Sequence, residues 1–252
     1  MEKMRKPFQG VWNIVRFNWH FYILALLFFI ITLSFLIFIK TPFDIYLSVL
    51  GILIFSSTFI SLAVSYYVYD FSGLYELNWI ENSNKYYEIV NINSGFDETS
   101  HLLKNKFPNA KLSVLDFYDP KKHTEISIKR ARKAYPVFPN TKPVTTNNLA
   151  LADNEADLIF LTFAVHEIRN EQERIIFFKE LKRILKPSGQ IIISEHLRDT
   201  TNFLAYNIGF LHFYSRKTWY KTFEMANFVV KKEEKLTPFI SKFTLTKYGI
   251  TT

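Results

Sequence analysis

Two stretches near the start of the chain, 21–39 and 45–69, carry no charged residue. Each is close to or beyond the roughly 20 residues a helix needs to cross a hydrocarbon core of about 30 Å. Backbone in lipid has to satisfy its own hydrogen bonds, so both stretches are expected to be helices. Lys40-Thr41-Pro42-Phe43-Asp44 holds a proline and one charge of each sign, which predicts a turn and makes the pair a hairpin. A cleaved signal peptide competes for the first stretch, but a small-residue cleavage pattern is missing and a second span follows directly. The chain therefore divides into a membrane anchor over 1–70, an amphipathic connector over 71–86, and a soluble domain over 87–252. Basic Lys3, Arg5, Lys6 and Arg16 precede the first span, and the positive-inside rule keeps them in the cytoplasm. Two crossings return the chain there, so both termini and the soluble domain are expected to be cytoplasmic. Trp12, Trp19, Tyr22, Tyr66, Tyr67 and Tyr69 flank the runs at headgroup level.

Beyond the connector the pattern changes to short apolar runs alternating with amphipathic ones. YEIVNI (87–92) reads as a strand buried on both faces, ended by Gly95. A helix is expected over 98–106 with Leu102 and Leu103 inward, then a strand KLSVLDF over 111–117. Asp119-Pro120 has the chemistry of an N-cap and first-turn proline, predicting a helix to about 133. DLIFLTFAV (157–165) is a further strand, QERIIFFKELKRILK an amphipathic helix stopped by Pro187-Ser188-Gly189, and QIIISEH another buried strand. The last stretch, 227–247, reads as two strands forming an antiparallel edge. This rhythm predicts an α/β, doubly wound, mostly parallel sheet covered on both faces.

Composition changes this picture in two places. The absence of cysteine excludes disulfides and thiol chemistry. The net charge of +8 comes partly from KKHTEISIKRARK (121–133). That run fits contact with anionic lipid, where each basic residue contributes about 1 kcal/mol, or simply a solvated helix face. Nucleic-acid binding is the other use of a basic run; with a membrane tether, none is expected.

Over 87–247 the order and spacing of these elements resemble the class I S-adenosylmethionine-dependent methyltransferases of the type 11 kind, here behind an N-terminal hairpin. VNINSGFDETS matches the glycine-rich loop, with Gly95 the central glycine, Asn91 at the usual acidic position, and Asn93 and Asp97 in place of the outer glycines. Asp116, followed by Phe117, matches the acid that bonds the ribose hydroxyls. TTNNLALADNEADLI matches the stretch beneath the adenine, with Thr145, Thr146 or Asn147 in place of its usual acid, and Phe163 available to pack on the ring. LKRILKPSGQIIISEH is the most specific match. The resemblance implies a Rossmann-like, seven-stranded sheet with an antiparallel C-terminal edge, and S-adenosyl-L-methionine as cofactor.

In an open parallel sheet ligands gather at the carboxyl ends of the strands. His166 and Glu167 follow one strand there, and Glu195 and His196 end the next. Either His166 or His196 is a candidate base for a protonated acceptor, with Glu167 orienting one of them; the plain alternative is a helix start with His166 packed. No metal-ligand set is assigned. Phe203, Tyr206, Phe210, Phe213 and Tyr214, together with His212, form either an aromatic acceptor wall or a surface docked on the hairpin. The expected function is a membrane-anchored methyltransferase acting on a hydrophobic acceptor: a lipid, quinone-like, polyene or aromatic compound. A non-catalytic binding module of the same fold is the alternative. A nicotinamide oxidoreductase fits less well, since its glycine fingerprint is missing.

Overall fold

The computed structural model describes residues 5–38, 42–80 and 86–249. Lys3, Lys40 and Thr41 of the predicted hairpin turn, and connector residues 81–85 lie outside them. The chain begins with a short amphipathic helix α1 (Gln9–Phe17), followed by α2 (Trp19–Phe38) and α3 (Asp44–Tyr66). Both α2 and α3 are long and apolar enough to cross a membrane, and nearly all of their side chains are unburied. Helix α3 runs on into a π-turn at Tyr67–Phe71 and a 3-10 turn at Leu74–Glu76.

Seven strands follow: β1 (Glu88–Asn93), β2 (Lys111–Asp116), β3 (Lys142–Pro143), β4 (Ala156–Thr162), β5 (Leu185–His196), β6 (Phe228–Thr237) and β7 (Ile240–Lys247). They lie in the order β3-β2-β1-β4-β5-β7-β6. All pairings are parallel except those of β7, which runs antiparallel to both β5 and β6. The expected doubly wound sheet with an antiparallel C-terminal edge is thus the observed one. Its order reverses between β1 and β4, and this switch point opens a crevice at the carboxyl ends of the strands.

Helices α4 (Ser100–Lys106), α5 (Ile126–Ala134), α6 (Glu171–Ile184), α7 (Thr200–Tyr206) and α8 (Arg216–Met225) complete the fold. Asn170, Asp199 and Ser215 cap α6, α7 and α8, each accepting a backbone N–H of the first turn. On one face of the sheet, Phe177, Phe178 and Leu181 of α6 and Trp219 and Phe223 of α8 bury against Ile159, Leu161, Ile191 and Ile193. On the other, Leu77, Ile80 and Tyr86 pack with Leu103, Phe107 and Phe160.

Two elements differ from expectation. Asp119-Pro120 starts a tight turn instead of a helix: the Asp119 carboxylate accepts the Lys121 N–H, and its own N–H donates to the buried His123 ring. Helix α5 therefore begins only at Ile126, after Glu125. The stretch read as an amphipathic connector leaves the surface, since Leu74, Leu77, Ile80 and Tyr86 are all core residues.

Candidate functional site

A cleft of about 260 Å³ opens at the switch point. The carboxyl ends of β1, β4 and β5 supply Asn93, Thr162, Phe163 and His196, α5 supplies Ser127 and Ala131, and α1 supplies Gly10, Asn13, Ile14 and Phe17. The four α1 residues are spaced i, i+3, i+4, i+7, which places them on one helix face. The N-terminal helix α1 therefore forms a wall of the site.

What fixes α1 there is a set of charged contacts. The Asp70 carboxylate, just past α3, accepts the Gly10 and Val11 N–H groups at 2.7 and 2.8 Å, satisfying donors that a helix start leaves unpaired. A Cβ on Gly10 would sit 2.4 Å from the Tyr69 Cβ, so only glycine lets α1 and the end of α3 approach this closely. Glu98, in the loop after β1, pairs with Arg5 at 2.8 Å and accepts from the Tyr75 hydroxyl at 2.8 Å. Arg5 also lies 3.6 Å over the Tyr75 ring. From α5, Arg130 donates to the Phe17 carbonyl, and the nearby Tyr135 hydroxyl donates to Asn13.

The loop after β1 is held by side chains. The Asn91 amide donates to Asp97, Thr99 and Ser100, and Asn93 Oδ1 accepts the Gly95 N–H at 3.0 Å. Gly95 has φ +103°, a backbone conformation that L side chains rarely adopt. Asp116, at the end of β2, is buried. Its Oδ1 accepts the Tyr118 N–H, and its Oδ2 is paired with Arg132 of α5 at 2.5 Å. Arg132 lies 4.4 Å over the Tyr118 ring and donates to the Gly95 carbonyl. The basic run thus commits two of its cations, Arg130 and Arg132, to internal contacts.

At the opposite side of the cleft the histidines sit in contrasting surroundings. His166 Nδ1 is 2.7 Å from Glu195 Oε2, and its Nε2 is 3.4 Å from Glu167 Oε1. Glu195 is fully buried and its other oxygen accepts the Val165 and His166 N–H groups. Burial alone would lower the His166 pKa, but the two carboxylates raise it to about 10. Glu167 is correspondingly lowered, its burial outweighed by hydrogen bonds from His166 and His212. His196 is pushed down to about 4, chiefly by burial, against a smaller lift from its Asn202 bond. Since Asn202 Oδ1 can only accept, Nδ1 carries the proton and Nε2 accepts from the Tyr69 hydroxyl at 2.7 Å. His196 also stacks on Phe213 and Phe163.

The residues anticipated from sequence are divided by the structure. Asn93, Phe163, His166, Glu167 and His196 face the cleft, while Gly95 and Asp97 line an adjoining recess with Asn93. Asn91 is buried behind the loop. Phe117 is a core residue on Phe177 and His123, so its ring is unavailable to a ligand. Asn147 is exposed and bonded to Thr145 in a turn away from the cleft. Of the aromatic wall, Phe213 lines the cleft. Phe203 and Phe210 pack on each other, and Tyr214 lies against Trp219. Helix α7 instead leans on α3, with Asn207 just after it donating to Ser57 at 2.7 Å. Asp70, Tyr69, Glu98, Arg132 and the α1 face were missed; the spacing of Gly10, Asn13, Ile14 and Phe17 was the available signal.

Two buried polar atoms test whether S-adenosylmethionine suits the site. Asp97 Oδ2 and Thr162 Oγ1 lack a hydrogen-bond partner, one in the loop recess and the other at the cleft wall. Buried polar atoms are rarely left unpaired, and these lie where an amino-acid moiety of a cofactor would need polar contacts. These two atoms fit such a group, whereas Asp116 lines neither the cleft nor the recess and has both oxygens engaged, by Tyr118 and Arg132.

Residues 113–193 match the family model of a methyltransferase domain. No curated protein is significantly similar in sequence. Among solved structures, human N-acetylserotonin methyltransferase in complex with SAM aligns with a TM-score of 0.51 at 15% identity, covering 76% of this chain and 55% of that one. A SAM-dependent methyltransferase from Aquifex aeolicus aligns at 0.45 and 18% identity, over 63% of this chain and 81% of that one. One from Methanosarcina mazei aligns at 0.47 and 16%, over 68% and 96%. The sheet order and the family match over 113–193 both support a methyltransferase-like fold for the domain that follows the apolar helices.

Proposed function

We propose that the chain is a membrane-anchored, S-adenosylmethionine-dependent methyltransferase whose acceptor is a hydrophobic compound dissolved in the bilayer. The observation that carries this reading is the origin of the cleft wall: α1 leads directly into the apolar helix α2 and is fastened to the end of α3. An acceptor moving along the hairpin reaches the carboxyl ends of β4 and β5 without crossing water. The cleft lining is mainly apolar, with Ile14, Phe17, Phe163 and Phe213 among its residues. Helices α2 and α3 span the membrane, and both ends of the chain lie in the cytoplasm with the cofactor. Anchoring raises the effective concentration of enzyme near its acceptor.

Asn93 and Asp97 would hold the methionine end of the cofactor and Asp116 its ribose, once Arg132 has moved. The bound cofactor supplies the methyl group. His196 is the neutral ring and is free to take a proton, whereas His166 is kept charged between two carboxylates. In a hydroxyl acceptor, the proton passes to the Tyr69 oxygen as Tyr69 gives its own to His196 Nε2. The ion pair that occupies Asp116 favours a second reading, a binding module of this fold without catalysis. Calorimetric titration of the full-length protein in detergent with S-adenosylmethionine, its demethylated product and a nicotinamide nucleotide separates the readings. Binding of the first two supports a methyltransferase; binding of none removes it.

A further inference from the structure

Beside the proposed transfer path three side chains converge without being needed to bind the cofactor. His166, Glu167 and His212 each turn one ligand-type atom toward a common point, all within 4.8 Å of one another. We propose that this cluster is a divalent metal site of the zinc and manganese class, with His166 Nε2, His212 Nε2 and a Glu167 carboxylate oxygen as ligands, the ion taking the place of the proton that His166 Nε2 holds when the site is empty. The inference extends the methyltransferase reading by giving the cleft a Lewis acid.

The distances suit this assignment. Bonds of about 2.1 Å in a tetrahedron set ligand atoms about 3.4 Å apart. Glu167 Oε1 lies 3.4 Å from His166 Nε2 and 3.8 Å from His212 Nε2, which are two sides of such a triangle, and the ligand atoms all lie within 4.8 Å of one another. Two imidazoles with one carboxylate are a donor set for zinc, manganese, iron or cobalt and a poor one for calcium or magnesium.

The outer contacts point the same way. Metal-bound histidines commonly donate their other ring nitrogen to a carboxylate, which fixes the tautomer and aims the free nitrogen at the ion. His166 has that partner in Glu195, which is fully buried, anchored by two backbone N–H groups and bonded to Nδ1 at 2.7 Å. For His212 the corresponding carboxylate is Glu125, 3.2 Å from Nδ1. His166, Glu167, His212 and Glu125 all line the cleft, so the side of the triangle away from the protein is open to an acceptor. Arg169 competes for the place: it is exposed and lies against the His212 ring, donating to the His212 carbonyl at 2.6 Å and contacting both ring nitrogens. A metal must displace its guanidinium.

An ion here also answers a weakness in the transfer path. His196 binds a proton only feebly. A hydroxyl bound to a divalent metal becomes far more acidic, so a weak base suffices to take its proton as the methyl group arrives.

The test uses tag-free, full-length protein in nanodiscs, stripped with chelator and titrated with Zn²⁺, Mn²⁺ or Co²⁺. Bound metal is counted by mass spectrometry after dialysis, and Co²⁺ coordination is read from its visible absorption. The expected result is one ion per chain, with affinity lost in His212→Ala. Glu195→Gln should weaken binding by about 10–100-fold, the usual effect of removing such a partner, and Arg169→Ala should tighten it. Thermal melts confirm that each variant is folded. Failure of the wild-type protein to retain any of the three ions, or equal affinity in His212→Ala, would overturn the site. S-Adenosylmethionine binding is measured separately on the same samples. Metal without cofactor binding leaves the site standing and removes the methyltransferase reading, whereas cofactor binding without metal removes only the site.

Discussion

Asp116 and Arg132 share one ion pair where a ribose is expected, and this sets the behaviour of the cofactor site. The carboxylate is buried and both of its oxygens are engaged by the protein. A ligand that takes over one of them must compete with a charge-assisted bond, of the kind contributing about 1.5–3 kcal/mol. Asp116→Asn keeps the shape and removes the acceptor charge. It is expected to weaken S-adenosylmethionine binding by about 10-fold or more, read by calorimetry. At His196, Gln replacement keeps volume and polarity but removes the base, so turnover at saturating cofactor should fall by about 10²–10⁴-fold. The same residue gives a pH signature. Its folded value of about 4 lies below the ordinary 6.5, so between these pH values the unfolded chain binds a proton that the folded chain does not. Stability from this group is complete above pH 6.5 and is lost as pH falls toward 4. The melting temperature of the wild-type protein should therefore approach that of His196→Gln as the pH is lowered from 7 to 5.

Helix α1 is the element on which the account turns. It has nine residues, too few to be stable alone, and is held by the Asp70 carboxylate at its start and by close packing at Gly10. Gly10→Ala places a methyl group 2.4 Å from the Tyr69 Cβ. Overpacking of this kind costs about 1–3 kcal/mol, and the strain falls on the residue whose hydroxyl bonds His196. Hydrogen exchange over 9–17 should quicken in this variant, and transfer to a membrane acceptor should drop more than cofactor binding does. The sheet was legible in the sequence because strands buried on both faces, such as 158–161 and 191–193, are unbroken apolar runs. The role of helix α1 was not, since its cleft face mixes glycine, asparagine, isoleucine and phenylalanine, and helical spacing alone marks that face without saying what it meets. Asp119-Pro120 misled for a different reason: the pair suits a turn and a helix start equally, and only the buried His123 decides between them. The His166–Glu195 contact joins the turn after β4 to the end of β5, 29 positions apart, and no local pattern reports it.

On the scale of the whole molecule, exposed apolar side chains occur on the hairpin and again on the segment that leans on it. Phe203, Leu204, Ile208 and Leu211 are exposed on the segment that leans on α3. Ser57, which Asn207 contacts, lies nine residues before the end of that helix, about 14 Å along its axis. The α7 region therefore reaches below the level of the helix end, which in the proposed orientation sets it in the lipid alongside the hairpin. This proposed topology is directly checkable because the chain has no cysteine. Single cysteines at Tyr248 and Phe43 should react with an impermeant maleimide from opposite sides of sealed vesicles, the first from the cytoplasmic side. A soluble domain merely tethered by the hairpin would function without it. Here α1 supplies one wall of the cleft, so the proposed anchor and the site are expected to act as one unit.

The most direct measurement is methyl transfer itself. Full-length protein in nanodiscs made with a total membrane lipid extract is incubated with S-adenosylmethionine carrying a labelled methyl group, and the label is followed into the organic phase. Label is expected in a hydrophobic product, strongly reduced in His196→Gln and weakened in Gly10→Ala. Label confined to water-soluble products, or lipid labelling unchanged in both variants, would contradict it.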